Sequence, residues 1–386
     1  MRGFLPLGWL QLKHQKLRLF SASMGIAFAV ILIFVQLEFR EAIFVSAVRY
    51  HNAMDYDLMM ISPKTDYLVA AREFPRNRLF QARGFEGVSS VSPVYIGRGS
   101  WRNPVERSAT RTIFMLGIDP IDEGFSRLLS GAQIEEIKIP DRVIFDRMSR
   151  PEFGPVLSMI EADESVATAI NDREITISGL YSVGTSFGLD GGIVTSDLNF
   201  LRILPGRNAA AIDLGLIRLR PGSDAVAVQR AIAAGIPGDV IVMTPEEFKN
   251  KEIRYWNKTT PVGYLFAFGA LIGIVVGFII VYQILFADVQ EHLQEYATLK
   301  AMGYTQAYLR GVVLQQSLIL GVLGFIPGCL VSMLAFNAAV DATRLPLEMT
   351  LSSALFVFLL TLVMCVLSGF FALRKLQALD PAEVFA

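Results

Sequence analysis

The chain has 386 residues, and 35 Lys and Arg residues nearly balance 36 Asp and Glu residues, which gives a formal net charge of −1. Only 18% of the residues are charged and 53% are hydrophobic, whereas soluble domains carry about 25% charged residues, so the composition favours a membrane protein. The near-neutral charge gives no electrostatic basis for binding nucleic acid. Both cysteines, Cys329 and Cys365, lie in apolar runs, which excludes a disulfide framework and a Cys-rich metal site.

The first long apolar run lies between Arg18 and Glu38 and contains no acidic or basic residue. About 20 helical residues cross the hydrocarbon core of a bilayer, so this run predicts a membrane helix. It exceeds the apolar region of a signal peptide, about 7 to 15 residues, and lacks an A-x-A cleavage site. We therefore assign residues 1–44 to an N-terminal segment and a retained first crossing. The basic tail around Leu10 and Leu17 fits either an amphipathic helix on the inner leaflet or a solvated segment.

Residues 45–258 are expected to form a large α+β domain. Short runs bounded by Pro, Gly, Asp or Ser predict strands at 57–61, 112–116, 174–180 and 214–219. The last strand opens a β-α-β unit, in which Ser223 or Asp224 caps a helix and a second strand follows at 240–243. The apolar positions noted on that helix are Val226, Ile232 and Ala233. A weaker unit of the same kind starts with a helix near 78–85.

The end of this domain has a helix-start signature. Thr244 is followed by Pro245 and, at the third helical position, by Glu247, which is a capping box with proline at the first helical position. If the helix continues into the second crossing, the two parts of the protein share one stiff rod. Pro261 is the residue that could kink or interrupt it.

Three further apolar runs predict the remaining crossings, at 258–288, 310–341 and 348–374. Their interiors contain no Asp, Glu, Lys or Arg, so they offer no proton relay or ion-binding carboxylate. Hydrogen bonds between helices explain the polar residues within them, which are Gln315, Gln316 and Asn337. Gly269, Gly273 and Gly277 recur every fourth residue, a pattern that permits close helix packing.

Basic residues in the short flanking segments predict the orientation. The N-terminal tail has Lys and Arg without acidic residues, and Arg374 and Lys375 open the C-terminal tail. By the positive-inside rule both termini are cytoplasmic. With four crossings, the large domain between the first two then lies outside the cytoplasm.

No enzyme signature accompanies this organisation. The chain has no Gly-Lys dipeptide and hence no Walker A loop, and its three histidines lack a second ligand at metal spacing. Residues 129–133 (LSGAQ) resemble an ABC-ATPase signature, but without a phosphate loop we interpret them as a coincidental turn. Neither a G-x-S-x-G nucleophile motif nor a cofactor motif is present.

The segment between the second and third crossings, at about 288–305, carries more structural signals than a simple connecting turn needs. Its apolar residues recur at helical spacing. Gly303 can provide a left-handed C-cap, and Thr305 can cap the next helix. We expect a short amphipathic helix tied at both ends to membrane helices.

Residues 295–304 (EYATLKAMGY) resemble the E-x-A-x-L-K-A-x-G coupling-helix motif of the MacB and FtsX superfamily of ABC transporter permeases. Residues 378–383 (ALDPAE) are similar to the D-P-A-E ending common in that superfamily. Residues 147–154 (RMSRPEFG) and the overall length most resemble the DevC-like permeases of heterocyst-type glycolipid exporters. The implied fold is an α-helical membrane protein with four transmembrane helices and a large α+β, MacB-like periplasmic domain inserted between the first and second.

The resemblance implies a non-catalytic permease of the bacterial inner membrane that transmits motion from a separate DevA-like ATPase. It also implies a homodimer, a DevB-like periplasmic membrane-fusion adaptor, a TolC-like outer-membrane protein, and export of a lipid or amphiphile. No cofactor or metal is expected. The residues implied to couple to the ATPase are Glu291, Glu295, Tyr296, Ala297, Leu299, Lys300, Gly303 and Tyr304.

Two other functions stay open at this point. An FtsX-like regulator would use the same motion to activate a periplasmic cell-wall hydrolase, and a lipoprotein-releasing permease would differ mainly in cargo.

Overall fold

The computed structural model describes residues 16–121, 123–162, 166–186, 188–292, 294–295, 298–299 and 302–376. The chain divides into two compact units. The helical unit comprises Met1–Glu41, Val262–Asp341 and Leu347–Ala386, and the sheet unit comprises Ala42–Pro261 and Ala342–Pro346.

The α-helices of the described residues are α1 (Lys16–Ala47), α2 (Arg49–Ala53), α3 (Arg76–Ala82), α4 (Gly131–Lys138), α5 (Val156–Glu161), α6 (Asp197–Ile203), α7 (Ala225–Gly235), α8 (Pro245–Arg254), α9 (Pro261–Glu291), α10 (Gln306–Thr343) and α11 (Leu351–Leu376). The strands are β1 (Leu58–Ile61), β2 (Phe74–Pro75), β3 (Val88–Arg102), β4 (Thr110–Ile118), β5 (Arg142–Asp146), β6 (Val166–Ile170), β7 (Arg173–Tyr181), β8 (Gly192–Ser196), β9 (Ala211–Ile212), β10 (Leu214–Leu219) and β11 (Ile241–Met243).

Within the residues that the structure describes, four helices, α1, α9, α10 and α11, are long and apolar enough to cross a membrane, as the four apolar runs predict. Glycines allow α9 to pack closely on α1 in the helical unit. A Cβ atom on Gly273 would lie 3.2 Å from Ile33, and one on Gly277 would lie 2.7 Å from the Cβ of Ala29. The predicted small-residue face is therefore a packed face, because a larger side chain at these positions would displace α1.

Nine strands form one mixed sheet in the order β11-β1-β10-β3-β4-β8-β5-β7-β6. The sheet curls back on itself, since Trp101 of β3 also pairs with Ile170 of β6. Strand β1 is buried along its whole length. Leu58 and Met60 belong to one apolar cluster and Met59 and Ile61 to the other, so the core covers both faces of the sheet.

The predicted β-α-β unit is present in a split form. Strands β10 and β11 both pair antiparallel with β1, which lies between them, so β10 and β11 are parallel to each other. Asp224 caps α7 by accepting from the N–H groups of Val226 and Ala227. Among the apolar residues of α7, Val228 and Ile232 are buried, whereas Val226 is 44% exposed.

The capping box at Thr244 is confirmed: its hydroxyl accepts from the Glu247 N–H, and the Glu247 side chain accepts from the Thr244 N–H. Of the two outcomes left open for this helix, a continuous rod or an interruption at Pro261, the structure shows the interruption. After α8 the chain forms a π-helical turn (Tyr255–Thr259), Thr260 is extended, and α9 starts at Pro261. Proline lacks an N–H and disfavours helical backbone in the residue before it, which explains the interruption.

Candidate functional site

The predicted coupling segment joins α9 to α10 within the helical unit. Of the eight residues implied to contact an ATPase, the structure describes Glu291, Glu295, Leu299, Gly303 and Tyr304. The other three lie outside the described residues, and they are Tyr296, Ala297 and Lys300.

Leu299 attaches this segment to the membrane helices. It packs against a buried cluster that contains Val289 from α9, Val312 and Val313 from α10, and Leu373 from α11. Three helix ends therefore meet at one apolar contact. Because buried side chains are packed at close to crystalline density, displacement of Leu299 would be felt by all three helices.

The segment has defined helix ends on both sides of Gly303. Gly303 adopts a left-handed conformation with φ 93°, and the Tyr304 N–H donates to the Leu299 carbonyl at 3.1 Å. This is the hydrogen bond of a glycine-terminated helix. Next, the Thr305 hydroxyl accepts from the Tyr308 N–H at 3.4 Å and caps α10. The turn is therefore set by its own backbone geometry.

An apolar and aromatic surface is exposed at this turn. Met302 is 63% exposed and Tyr304 is 46% exposed, and the Tyr304 ring packs on Tyr308 with centroids 4.8 Å apart. Glu295 is also exposed. Single exposed apolar residues are ordinary on a protein surface. We consider Met302 and Tyr304 a candidate contact surface because they lie close in sequence to Leu299, which packs on the membrane helices.

Glu291, at the start of the coupling segment, also contacts another helix of the same chain. Its carboxylate forms an ion pair with Arg18 of α1. Arg18 and Glu291 are 273 residues apart in sequence, so sequence inspection could not pair them. The ion pair adds α1 to the helices that meet the segment.

A second polar contact, which sequence reasoning missed, links α9 with α10. The Gln316 side-chain amide donates to Asp288 at 2.9 Å, and both side chains are buried. The sequence predicted a hydrogen bond between helices for Gln316 but did not identify the partner residue. Asp288 was interpreted only as the boundary of the second crossing, although a carboxylate at the end of an apolar run signals a buried partner.

In the sheet unit, the helix after α1 is tied to the helix before α9. His51 of α2 and Glu252 of α8 form a hydrogen-bonded pair, and their side chains are 0% and 1% exposed. The Glu252 carboxylate also accepts from the Leu68 N–H at 3.3 Å. Both polar side chains are thus satisfied within the unit, which is the condition under which a buried pair is tolerated.

The LSGAQ fragment starts a helix, where a turn was expected. Ser130 forms a capping box with Gln133 at the start of α4. Among the described residues, no group of three or more His, Cys, Asp or Glu side chains could hold a metal ion.

Comparison with known proteins finds a family match within the helical unit. Residues 267–381 match the protein family described as FtsX-like permease C-terminal. This stretch includes most of α9, the segment that joins it to α10, and the helices α10 and α11. The likeness to FtsX-like permeases therefore covers the last three long apolar helices and not α1 or the sheet unit.

Two solved structures are similar to part of the chain at low sequence identity. The crystal structure of the periplasmic region of MacB from Actinobacillus actinomycetemcomitans has 12% identity and a TM-score of 0.37, covering 52% of this chain and 94% of that chain. The extracellular domain of the noncanonic ABC-type transporter YknZ from Gram-positive bacteria has 13% identity and a TM-score of 0.33, covering 49% of this chain and 100% of that chain. No protein of curated function matches the chain.

Proposed function

We propose that this chain is the permease subunit of a tripartite ABC efflux complex and that it carries no catalytic site of its own. Hydrolysis of ATP would occur in a separate DevA-like ATPase chain. The proposal is supported by one observation above all. The region that matches the FtsX-like permease domain contains a short segment that is anchored through Leu299 and exposes Met302 and Tyr304.

The contacts of the segment suggest how motion would be transmitted. A groove on the ATPase would receive the segment from Glu291 to Tyr304, and ATP-driven closure would displace it. Leu299 would pass the displacement to α9, α10 and α11 through its apolar cluster. Glu291 would pass it to α1 through Arg18. All four membrane helices would therefore respond to a movement at one point.

The sheet unit would be the periplasmic end of this machine. A homodimer would present two copies to a DevB-like membrane-fusion adaptor and, through it, to a TolC-like outer-membrane protein. The proposed cargo is a lipid or other amphiphile, with a glycolipid as the first candidate from the DevC-like sequence features. Both termini would lie in the cytoplasm.

Affinity purification from membranes tests this function directly. We expect an ABC ATPase and a membrane-fusion adaptor to co-purify with the full chain. Recovery of a coiled-coil cell-wall hydrolase without an adaptor would contradict efflux and would indicate that the chain regulates that hydrolase. Recovery of the ATPase with a lipoprotein carrier would replace efflux by lipoprotein release. Hydrolysis of ATP by the purified chain without any partner would refute the permease proposal.

A further inference from the structure

A cavity of 780 Å³ lies within the sheet unit, between the loop that connects β1 with β2, Arg207, and residues 238–239 before β11. Small-molecule sites usually have volumes of about 300 to 1,000 Å³. The charged residues that line this cavity are Lys64, Arg72, Glu73, Arg207 and Asp239. Cations outnumber carboxylates in this lining.

Both lining carboxylates already have arginine partners. Asp239 accepts from the Nε of Arg78 with its two oxygens, at 3.1 and 3.0 Å. Glu73 forms an ion pair with Arg207. Their negative charges are therefore compensated, and they present little repulsion to an anion that enters the cavity.

The loop brings two further cations to the same cavity. The Thr65 hydroxyl accepts from the Arg72 N–H at 2.9 Å, and the Thr65 N–H donates to the Ser62 carbonyl at 3.0 Å. These bonds hold Lys64, which is adjacent to Thr65, near Arg72. Across the described part of the chain, neither Lys64 nor Arg72 forms an ion pair with a carboxylate. They supply the positive surplus of the cavity.

Arg207 supplies a buried donor that lacks an acceptor. Its terminal nitrogens are engaged by Glu73 and Asp213, and its side chain is 19% exposed. Its Nε is buried and has no hydrogen-bond partner in the described structure. A buried donor left unsatisfied costs about 1 to 3 kcal/mol. Because this nitrogen is buried, it does not face the cavity directly, and the accessible donors of the lining are the exposed Lys64 and Arg72.

We propose that this cavity, lined by Lys64, Arg72 and Arg207, binds a phosphoryl anion. A phosphate ester carries a charge of about −1.5 to −2 and presents three strong acceptor oxygens. Guanidinium groups donate to such oxygens with matching planar geometry, and the ammonium of Lys64 adds a mobile charge. The same chemistry is offered by free phosphate and by the headgroup of a phospholipid.

Binding to the full chain in an uncharged detergent tests this site. Isothermal titration with inorganic phosphate, with dihexanoyl phosphatidic acid, and with the phosphate-free analogue dihexanoylglycerol separates the sources. We expect the phosphatidic acid to bind and dihexanoylglycerol not to bind. If inorganic phosphate binds with the same affinity as the phosphatidic acid, the ligand is free phosphate. If the phosphatidic acid binds and inorganic phosphate does not, the ligand is the esterified headgroup.

A charge-matched pair of variants tests the residues. The double variant K64Q/R72Q should weaken binding about tenfold or more, and because both side chains are exposed it should fold normally. The control R107Q/R220Q removes two exposed charges outside the cavity and should change affinity by less than about twofold.

Equal weakening by the two double variants would indicate general electrostatic attraction and overturn the proposal. Failure of both phosphate compounds to bind, or binding of a poly-glutamate peptide in their place, would also overturn it. None of these results would bear on the proposed coupling segment, which lies in the helical unit.

Discussion

The imidazole Nε2 of His51 and a carboxylate oxygen of Glu252 lie 2.5 Å apart in the interior of the sheet unit. His51 belongs to the helix that follows the first crossing, and Glu252 belongs to the helix that precedes the second. The ring of His51 also packs edge-on against Phe248, with ring centroids 4.6 Å apart. The pair therefore fixes the two points at which the chain enters and leaves this unit.

Removal of the Glu252 carboxylate should destabilise the sheet unit. The variant Glu252→Ala leaves the His51 imidazole and the Leu68 N–H without their acceptor, so we expect the free energy of unfolding to fall by about 1 to 3 kcal/mol. Denaturant unfolding of the full chain, monitored by tryptophan fluorescence, measures this change. Glu252→Gln keeps an acceptor and should lose less. Equal stability of Glu252→Ala and the native chain would contradict the proposed role of the pair.

Changes in the exposed part of the coupling segment should uncouple the ATPase. Glu295→Lys reverses an exposed charge, and Gly303→Arg places a bulky side chain where the backbone is left-handed. We expect both variants to insert into membranes but to abolish stimulation of the partner ATPase. Gly303→Asn is the matched control, because asparagine tolerates this conformation. Unchanged stimulation in the reconstituted complex would count against the coupling role.

The predicted orientation can be measured with reporter fusions. A reporter fused at Arg207 should be outside the cytoplasm, and one fused at His292 should be inside, because short basic flanks stay cytoplasmic. An alkaline phosphatase and a fluorescent protein reporter, fused in parallel at each position, give opposite readouts. Cytoplasmic activity at Arg207 would invert the proposed topology.

The free energy of unfolding should decrease as the pH rises through the range in which the Asp213 carboxyl group loses its proton. Burial raises the pKa of Asp213 to about 6, whereas an unfolded aspartate titrates near 3.9. Between these values the folded state retains a proton that the unfolded state has lost, so the free energy of unfolding falls with rising pH, by up to about 3 kcal/mol. The contribution is complete below about pH 4 and lost above about pH 6.

Asp213→Asn cannot titrate and should remove this contribution. Other acids, such as Asp146 and Asp197, whose pKa values are also raised by burial, remain in both proteins. The measurement is therefore the difference between the native chain and the variant at pH 4 and pH 7. A difference that does not change with pH would refute the assignment.

Packing of α1 on α9 can be tested with two glycines. Gly277→Val should lower the unfolding temperature of the full chain in detergent, because a Cβ atom there already overlaps Ala29 of α1 and Met364 of α11. Gly311 of α10 has no neighbouring atom within 4 Å of a Cβ position, so Gly311→Ala should be neutral or stabilising by about 0.5 to 1 kcal/mol. Similar losses in both variants would mean that close contact of the added side chain with neighbouring helices does not determine the effect.

Local signals predicted the elements and their ends. The apolar runs predicted the four crossings, and Thr244, Gly303 and Thr305 marked helix ends correctly, because capping depends on residues within one turn. Pro261 was recognised as a possible break, but the sequence did not show whether the helix would continue past it. In the structure Thr260, the residue before it, is extended, and the helix is interrupted there.

Long-range pairings could not be predicted in the same way. Nothing near β1 in the sequence indicates that it lies between β10 and β11. For the candidate site, family resemblance identified the segment, and helical spacing suggested its amphipathic face. The ion pair of Glu291 with Arg18 and the hydrogen bond of Asp288 with Gln316 appeared only once the helices were packed.

The closure of the sheet limits how two copies of this protein could associate. At one end, β6 pairs with β3 through Ile170 and Trp101. At the other, the Val242 carbonyl of the short strand β11 accepts from the Gln229 side chain at 2.9 Å. Exposed strand edges are the usual route to strand exchange between chains. If two copies associate as proposed, the side-chain surfaces of the sheet unit are therefore a more suitable contact than strand pairing.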